Sequence, residues 1–212
     1  MAAHIGATAR GLGIGIASIV LGGALTACGS SPLSDQMAPG AQKWVDFETV
    51  LSDKDALKHT VPDRAAMPGW EIQKSDVDVK DDGDEDCRGC KVEAGSEFED
   101  GKVTATFDVT TFATKEQAGA YLAKTAAEFE KKAQSPAKLA MPTIGNETVA
   151  YGATFRKGPR NVVLMRAGTT VAGVMLQESS DVKQLENLAT MLARRVEQTA
   201  AGQTPSAALD AG

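Results

Sequence analysis

The chain has 212 residues and a formal net charge of −6 at pH 7. Its 42% hydrophobic and 24% charged residues are ordinary for a globular domain. The acidic balance excludes nucleic acid as the expected partner, because phosphate binding requires clustered Lys and Arg side chains.

An apolar segment near the N-terminus is the first feature along the chain. Residues 11–25 carry no charge and follow a single Arg10. The segment is long enough for the core of a signal peptide and shorter than the roughly 20 apolar residues of a membrane-spanning helix. An uncleaved anchor helix is the alternative, but Gly29 and Pro32 would break such a helix soon after its apolar run.

The segment closes with Leu25-Thr26-Ala27-Cys28. These four residues resemble the lipobox of bacterial lipoproteins, in which a leucine and small residues precede a cysteine. The resemblance implies that the Cys28 thiol receives a diacylglyceryl group and that residues 1–27 are removed as a signal peptide. It also implies that the mature protein is held by its lipid at the extracytoplasmic face of the cell membrane, where two acyl chains on one residue anchor stably.

Composition divides the rest of the chain into a tether, one domain and a tail. Residues 28–42 are rich in Gly, Ser, Pro and Ala, which predicts a flexible tether. Residues 201–212 have a similar composition and predict a disordered tail. A single extracytoplasmic domain is therefore expected over residues 43–200.

The first elements predicted in the domain are a short helix and a strand. Trp44, Phe47 and Leu51 recur at a helical spacing. Residues 67–70 (MPGW) then mark a turn into a strand, in which Trp70 and Ile72 lie on one face.

An acidic segment follows over residues 76–90, with the sequence DVDVKDDGDEDCRGC. Calcium takes about six to eight oxygen ligands, so one interpretation of this density of carboxylates is a calcium site. The EF-hand pattern started at Asp78 fails, because Lys80 and Gly89 occupy ligand positions. Repulsion between like charges favours a solvated, extended loop instead. The weak candidates that remain for calcium are Asp78, Asp82, Asp84 and Asp86.

Cys87 and Cys90 end the acidic segment with CxxC spacing. Once Cys28 is lipidated, they form an even pair in an oxidising compartment, which predicts a local disulfide. A thiol–disulfide catalyst needs its first cysteine at a helix N-terminus, where the thiol pKa is lowered. Acidic residues precede this pair and Gly89 favours a tight turn, so a structural disulfide is preferred over a redox site.

The clearest strand covers residues 103–112, where apolar and polar residues alternate with period 2. A helix follows from Thr114, whose hydroxyl and Gln117 fit a capping box, and it ends before Pro136. The apolar face of this helix is formed by Ala118, Tyr121, Leu122, Thr125 and Phe129.

Three more strands are predicted over residues 147–155, 161–166 and 170–177. Glycine-containing turns separate them, which predicts an antiparallel meander. A last helix runs from Asp181 to about Thr199. Its apolar face is formed by Val182, Leu185, Leu188, Leu192 and Val196.

The resulting order is β-β-α-β-β-β-α, which predicts an α+β fold: an antiparallel sheet with helices packed on one face. The element order over residues 60–200 and the turn at residues 67–70 resemble small exported lipoprotein domains of high-GC Gram-positive bacteria. They also resemble PsbP-like folds and the extracellular sensor domains of mycobacterial serine/threonine kinases. Those families are mostly of unknown or ligand-sensing function, so the resemblance transfers no site residues.

Catalytic motifs are the last feature to consider. The sequence has neither a GxSxG nucleophile elbow nor a glycine-rich phosphate loop after its leader. His59 lies in a polar stretch typical of a surface. We therefore expect a non-enzymatic binding module of the envelope, without a cofactor, for a small ligand, a lipid or an envelope protein. The alternative is a secreted hydrolase, or a thiol–disulfide oxidoreductase that uses Cys87 and Cys90.

Overall fold

The computed structural model describes residues 43–79, 89–155 and 158–210. The helices are α1 (Lys54–Thr60), α2 (Lys115–Lys132) and α3 (Val182–Ala200). The strands are β1 (Glu71–Val79), β2 (Cys90–Asp100), β3 (Val103–Phe112), β4 (Gln134–Lys138), β5 (Glu147–Phe155), β6 (Gly158–Ala167) and β7 (Thr170–Gln177).

The strands form one sheet in the order β1-β2-β3-β7-β6-β5-β4, and every neighbouring pair is antiparallel. After β3, α2 carries the chain to β4 at the far edge, and β5 to β7 return strand by strand until β7 pairs with β3. The predicted α+β class and antiparallel sheet are confirmed. No helix within the described ranges is both long and apolar enough to cross a membrane.

Several predicted boundaries are confirmed by the local structure. The strands β3, β5 and β7 begin and end at the predicted residues. The N–H of Gln117 donates to the Thr114 hydroxyl at 3.2 Å, so Thr114 caps α2. The N–H of Gln184 donates to the Asp181 carboxylate at 2.9 Å, so Asp181 caps α3. These side chains satisfy amides that the first turn of a helix leaves without a partner.

The helices cover both faces of the sheet, which differs from the predicted packing on one face. On β6, Val163 and Met165 belong to the core cluster that α1 and α3 cover. Val162 and Leu164 belong to a second cluster on the opposite face, under α2. Strands that are apolar on both faces need cover on both, and this continuous apolar run on β6 is the reason for the difference.

The predicted helix around Trp44, Phe47 and Leu51 is wrong. Residues 43–53 contain no helix, although Leu51 is buried and the two rings pack against the core. The Trp44 indole N–H donates to the carbonyl of Thr143 at 3.0 Å. This segment therefore contacts elements that are distant in the sequence. Its apolar residues are spaced to meet those elements and do not form one face of a helix.

The acidic segment and the strand after it differ from the prediction. Its first residues, up to 79, form the end of β1 instead of a loop, and Val77 packs against the core. Strand β2 was not predicted, although Val92, Ala94 and Phe98 alternate as buried residues. Ser96 stands between them on the same face and interrupts the apolar pattern. Residues 80–88 lie outside the described residues.

The C-terminal segment is ordered as far as residue 210, which corrects the predicted disordered tail. The Leu209 N–H donates to the Ala66 carbonyl at 2.9 Å, and the Arg195 guanidinium donates to the Ala207 carbonyl at 2.9 Å. Ala207 and Leu209 also pack against the core. Composition alone does not show that Ala207 and Leu209 pack against the core.

Candidate functional site

A cleft of about 420 Å³ lies on the α2 face of the sheet. Helix α2 packs over β3, β6 and β7, and the cleft opens between this helix and strands β1 and β2. Residues from all of these elements line it, so its shape is set by the sheet and by one helix.

One wall of the cleft is apolar. Val162 and Leu164 come from β6, and Val171 and Met175 come from β7. All four belong to the cluster beneath α2, where neighbouring strands place their side chains on one face. The wall is therefore continuous with packed core and has a fixed position.

The opposite wall is acidic. Its carboxylates are Asp76 and Asp78 from β1, Glu93 from β2 and Asp108 from β3. The register places them together, because Asp78 is opposite Glu93 and Gly95 lies between Asp76 and Asp108. Antiparallel neighbours in one row point to the same face of a sheet.

Glycines are paired with Asp108 on both sides, and the position above Gly173 is covered by Leu164, whose Cδ2 would be 3.2 Å from a Cβ built there. Gly95 is paired with Asp76 on one side and Asp108 on the other, and Asp108 is paired with Gly173. A Cβ built on Gly95 would be 3.3 Å from the Asp76 Oδ1 and 3.4 Å from the Asp108 Oδ1. Both carboxylate oxygens therefore lie close to the position that a side chain at residue 95 would take.

The two carboxylates of this row have different partners. Lys74 forms an ion pair with the Oδ2 of Asp76 at 2.5 Å. Among the residues that the structure describes, none donates a hydrogen bond to the carboxylate of Asp108. Loss of hydration in the cleft, followed by the charges of Glu93 and Asp76, raises the pKa of Asp108 to about 6. The positive charge of Lys74 opposes this rise in the pKa of Asp108.

Tyr121 joins the acidic wall to α2. Its ring contacts Phe112, with ring centroids 5.0 Å apart, and its phenol lines the cleft. Burial and the nearby charge of Glu93 raise the pKa of the phenol, while hydrogen bonds with Thr125 and Thr110 oppose this effect. At neutral pH, Tyr121 is thus an uncharged hydroxyl between the two walls.

Replacing Asp108 with asparagine should change how stability depends on pH. The folded-state pKa is raised from its ordinary value of 3.8 to about 6, so the folded protein holds this proton more tightly than the unfolded chain. The stability from the protonated carboxyl is complete below about pH 4 and is lost as pH rises through about 6. Since solvent reaches the cleft, screening limits this loss to about 1 kcal/mol.

Urea unfolding at several pH values between about 4 and 7 measures this loss. As the pH rises over that range, the free energy of unfolding of the wild type should fall relative to that of D108N. Asp100 lies at the end of β2 and is exposed, so D100N removes the same charge away from the cleft and should follow the wild type. If the free energy of unfolding of the wild type and of D108N changed equally with pH, the cleft would not perturb the pKa of Asp108.

The sequence-predicted site residues are mostly outside the cleft. Of the weak calcium candidates, Asp78 lies on the acidic wall, and the other three fall outside the described residues. Within the described part of the chain, no group of three or more His, Cys, Asp or Glu side chains is arranged to hold a metal ion. His59 is exposed on α1, as predicted.

The predicted cysteine sites are tested only in part. Cys28 and Cys87 fall outside the described residues. Cys90 is the first residue of β2 and is completely buried in the cluster beneath α2. Lipidation of Cys28 and the Cys87–Cys90 disulfide therefore stay predictions.

Sequence reasoning missed Asp76, Glu93 and Asp108 as members of one site. The signal for Asp108 was present, because it is the single charged residue on the polar face of a clearly predicted strand. Glu93 could not be placed beside Asp108, because strand β2, which carries Glu93, was not predicted. Their proximity depends on the order of β1, β2 and β3 in the sheet, which the sequence does not state.

No protein-family model matches this chain, and no curated protein matches it by sequence. Among solved structures, the extracellular domain of PknH from Mycobacterium tuberculosis is similar, with a TM-score of 0.47 and 13% identity. The match covers 74% of this chain and 100% of that one. Values this low carry no argument about function, which has to come from the residues of this chain.

Proposed function

We propose that this protein is a non-enzymatic binding module, lipid-anchored at the extracytoplasmic face of the membrane, and that the cleft beside α2 is its ligand site. The observation that carries the proposal is the cleft itself, with a packed apolar wall facing an acidic one across about 420 Å³. Small-molecule sites are typically concave, largely apolar and fitted with a few polar groups.

The N-terminal sequence supports the anchored location. An uncharged run ends in Leu25-Thr26-Ala27-Cys28, and a stretch rich in Gly, Ser and Pro follows it. The residues that form the sheet and its helices all follow that stretch in the sequence. This order of leader, cysteine, tether and domain fits a module that binds its ligand beside the membrane.

The surroundings of Cys90 support a binding role over a thiol–disulfide enzyme. Cys90 begins a strand and is completely buried, whereas catalytic CxxC pairs use a helix N-terminus to lower the thiol pKa.

Native mass spectrometry of the full chain released from its own membrane tests the proposal. The wild type should carry a non-covalent small molecule in addition to its lipid. Thr125 lines the cleft from α2 and is half-buried, so T125W should fill the space and lose this added mass. A wild type without any added mass would contradict a ligand-binding role.

A matched variant controls for the bulk of the new ring. Ala127 is exposed on the same helix and does not line the cleft. A127W should keep the added mass. If T125W also kept it, the ligand would be bound somewhere else.

A further inference from the structure

We propose that residues 43–50, here called the strap, are released from the domain as a unit while the sheet stays folded, and that their release loosens the N-terminal half of α2. This half of the helix carries Tyr121, which lines the cleft. The strap is also the described segment nearest in sequence to Cys28, so its docking would regulate the cleft from the anchored end of the chain. In this respect the inference rests on the proposed function.

The strap contacts the helices on both faces of the sheet. The Val45 N–H donates to the Glu197 Oε1 on α3 at 2.6 Å. Asp46 and Glu48 both form ion pairs with Lys115, the first residue of α2, at 3.2 and 2.5 Å. Since α2 and α3 cover opposite faces, the strap ties the two helix layers together at one end of the sheet.

The middle of the strap packs on the turn between β6 and β7. A Cβ built on Gly168 would be 2.5 Å from the Cε2 of the Phe47 ring, so the ring lies directly on this glycine. The Thr169 hydroxyl donates to the Thr49 carbonyl at 2.6 Å. The docked position of the strap therefore requires that residue 168 has no side chain.

The strap is held more weakly than the sheet beneath it. Trp44 and Phe47 are half-buried, and the other six residues of the strap are exposed. Exposed ion pairs and hydrogen bonds contribute little, because water replaces the lost partner, and segments with few buried apolar contacts open before the rest of a domain. Leu51 is buried and Asp53 caps α1, so the strap ends where the packed body of the domain begins.

Release of the strap would act on α2 through Lys115. Both ion pairs that Lys115 forms within the described residues are with the strap. Thr114 would still cap the helix, so α2 would remain helical but lose a tie at its first turn. Tyr121 follows less than two turns later. The docked strap thus helps to hold this wall of the cleft in place.

The substitution G168A in the full chain tests the inference, because its methyl group would collide with the Phe47 ring and displace the strap. G101A is the matched control. Gly101 has a φ of 61°, close to the 56° of Gly168, and nothing lies within 4 Å of its Cβ position, so G101A brings the same backbone strain without a collision. F47A removes the ring without any backbone strain and should behave as G168A does.

Two measurements on the folded protein follow the strap and α2. In a W70F background, where Trp44 is the one tryptophan, acrylamide quenching of its fluorescence should be at least about twofold stronger in G168A and F47A. Hydrogen exchange of the amides of residues 118–122 should be about tenfold faster, while Val163 and Val174 in the central strands stay protected. G101A should match its parent in both measurements. Circular dichroism confirms that each variant is folded.

Each contrary result overturns a stated part of the inference. Equal quenching of Trp44 in G168A, F47A and G101A would show that the strap is not released. Exchange that is faster in β6 and β7 as well as in α2 would show a loss of global stability in place of a local release. Stronger quenching with unchanged exchange in α2 would show that the strap does not hold the helix. These measurements need neither ligand nor lipid, so their failure leaves the proposed function in place, and a wild type without a bound ligand would overturn that function alone.

Discussion

Replacing Arg195 with methionine is expected to lower the free energy of unfolding by about 3 kcal/mol. Arg195 is 2% exposed, and its guanidinium joins three parts of the fold. It donates to the carbonyl oxygens of His59 at 2.7 Å, Thr60 at 3.0 Å, Val61 at 3.2 Å and Ala207 at 2.9 Å. Methionine fills much of the same volume but leaves these carbonyls without a donor.

The location of these carbonyls explains why the effect should be large. Three of them lie at the C-terminal end of α1, where a helix leaves its last carbonyls without intrahelical partners and favours a cation. The fourth lies in the C-terminal segment that follows α3. Removing the guanidinium therefore loosens both α1 and this segment, and each buried carbonyl left unpaired costs about 1–3 kcal/mol.

Urea unfolding followed by the fluorescence of Trp44 and Trp70 measures this change. R194M is the matched control, because Arg194 is the neighbouring residue on α3 and is exposed. It should shift stability by less than about 1 kcal/mol. If R195M and R194M unfolded at the same urea concentration, the guanidinium would not hold α1 and the C-terminal segment in place.

Replacing Cys28 with alanine is expected to abolish lipid anchoring. The lipobox resemblance implies that the Cys28 thiol receives the lipid and that the leader is removed just before this residue. Two acyl chains on one cysteine anchor a protein stably, so C28A should appear in the medium or as the uncleaved precursor.

Membrane fractionation and intact-mass measurement distinguish these results. C87A is the control, because it also removes one cysteine but leaves the lipobox intact. It should stay in the membrane fraction with its lipid. Membrane-bound C28A of the same processed length as the wild type would contradict lipid anchoring through this residue.

The strands and helices that sequence reasoning predicted correctly are those whose local pattern agrees with their surroundings. In β3, polar and apolar residues alternate without interruption, and α2 and α3 begin with a capping side chain. Strand β2 was missed because Ser96 interrupts its buried positions. The segment around Trp44 was wrongly predicted as a helix, because contacts with distant residues produced a helical spacing by chance.

The candidate site was less predictable than the fold. Its carboxylates come from three strands, and only the sheet order β1-β2-β3 brings Asp76 and Asp108 to the two sides of Gly95. The placement of α2 on the face opposite α3 then turns an acidic surface into a cleft with an apolar wall. Both facts depend on contacts between residues far apart in the chain, which a local pattern does not report.

A high-resolution structure of the protein purified from its own membrane would show whether the cleft holds a ligand. We expect a bound small molecule between α2 and the acidic wall. A cleft closed by the side chains of the protein itself, or a ligand bound away from α2, would contradict it.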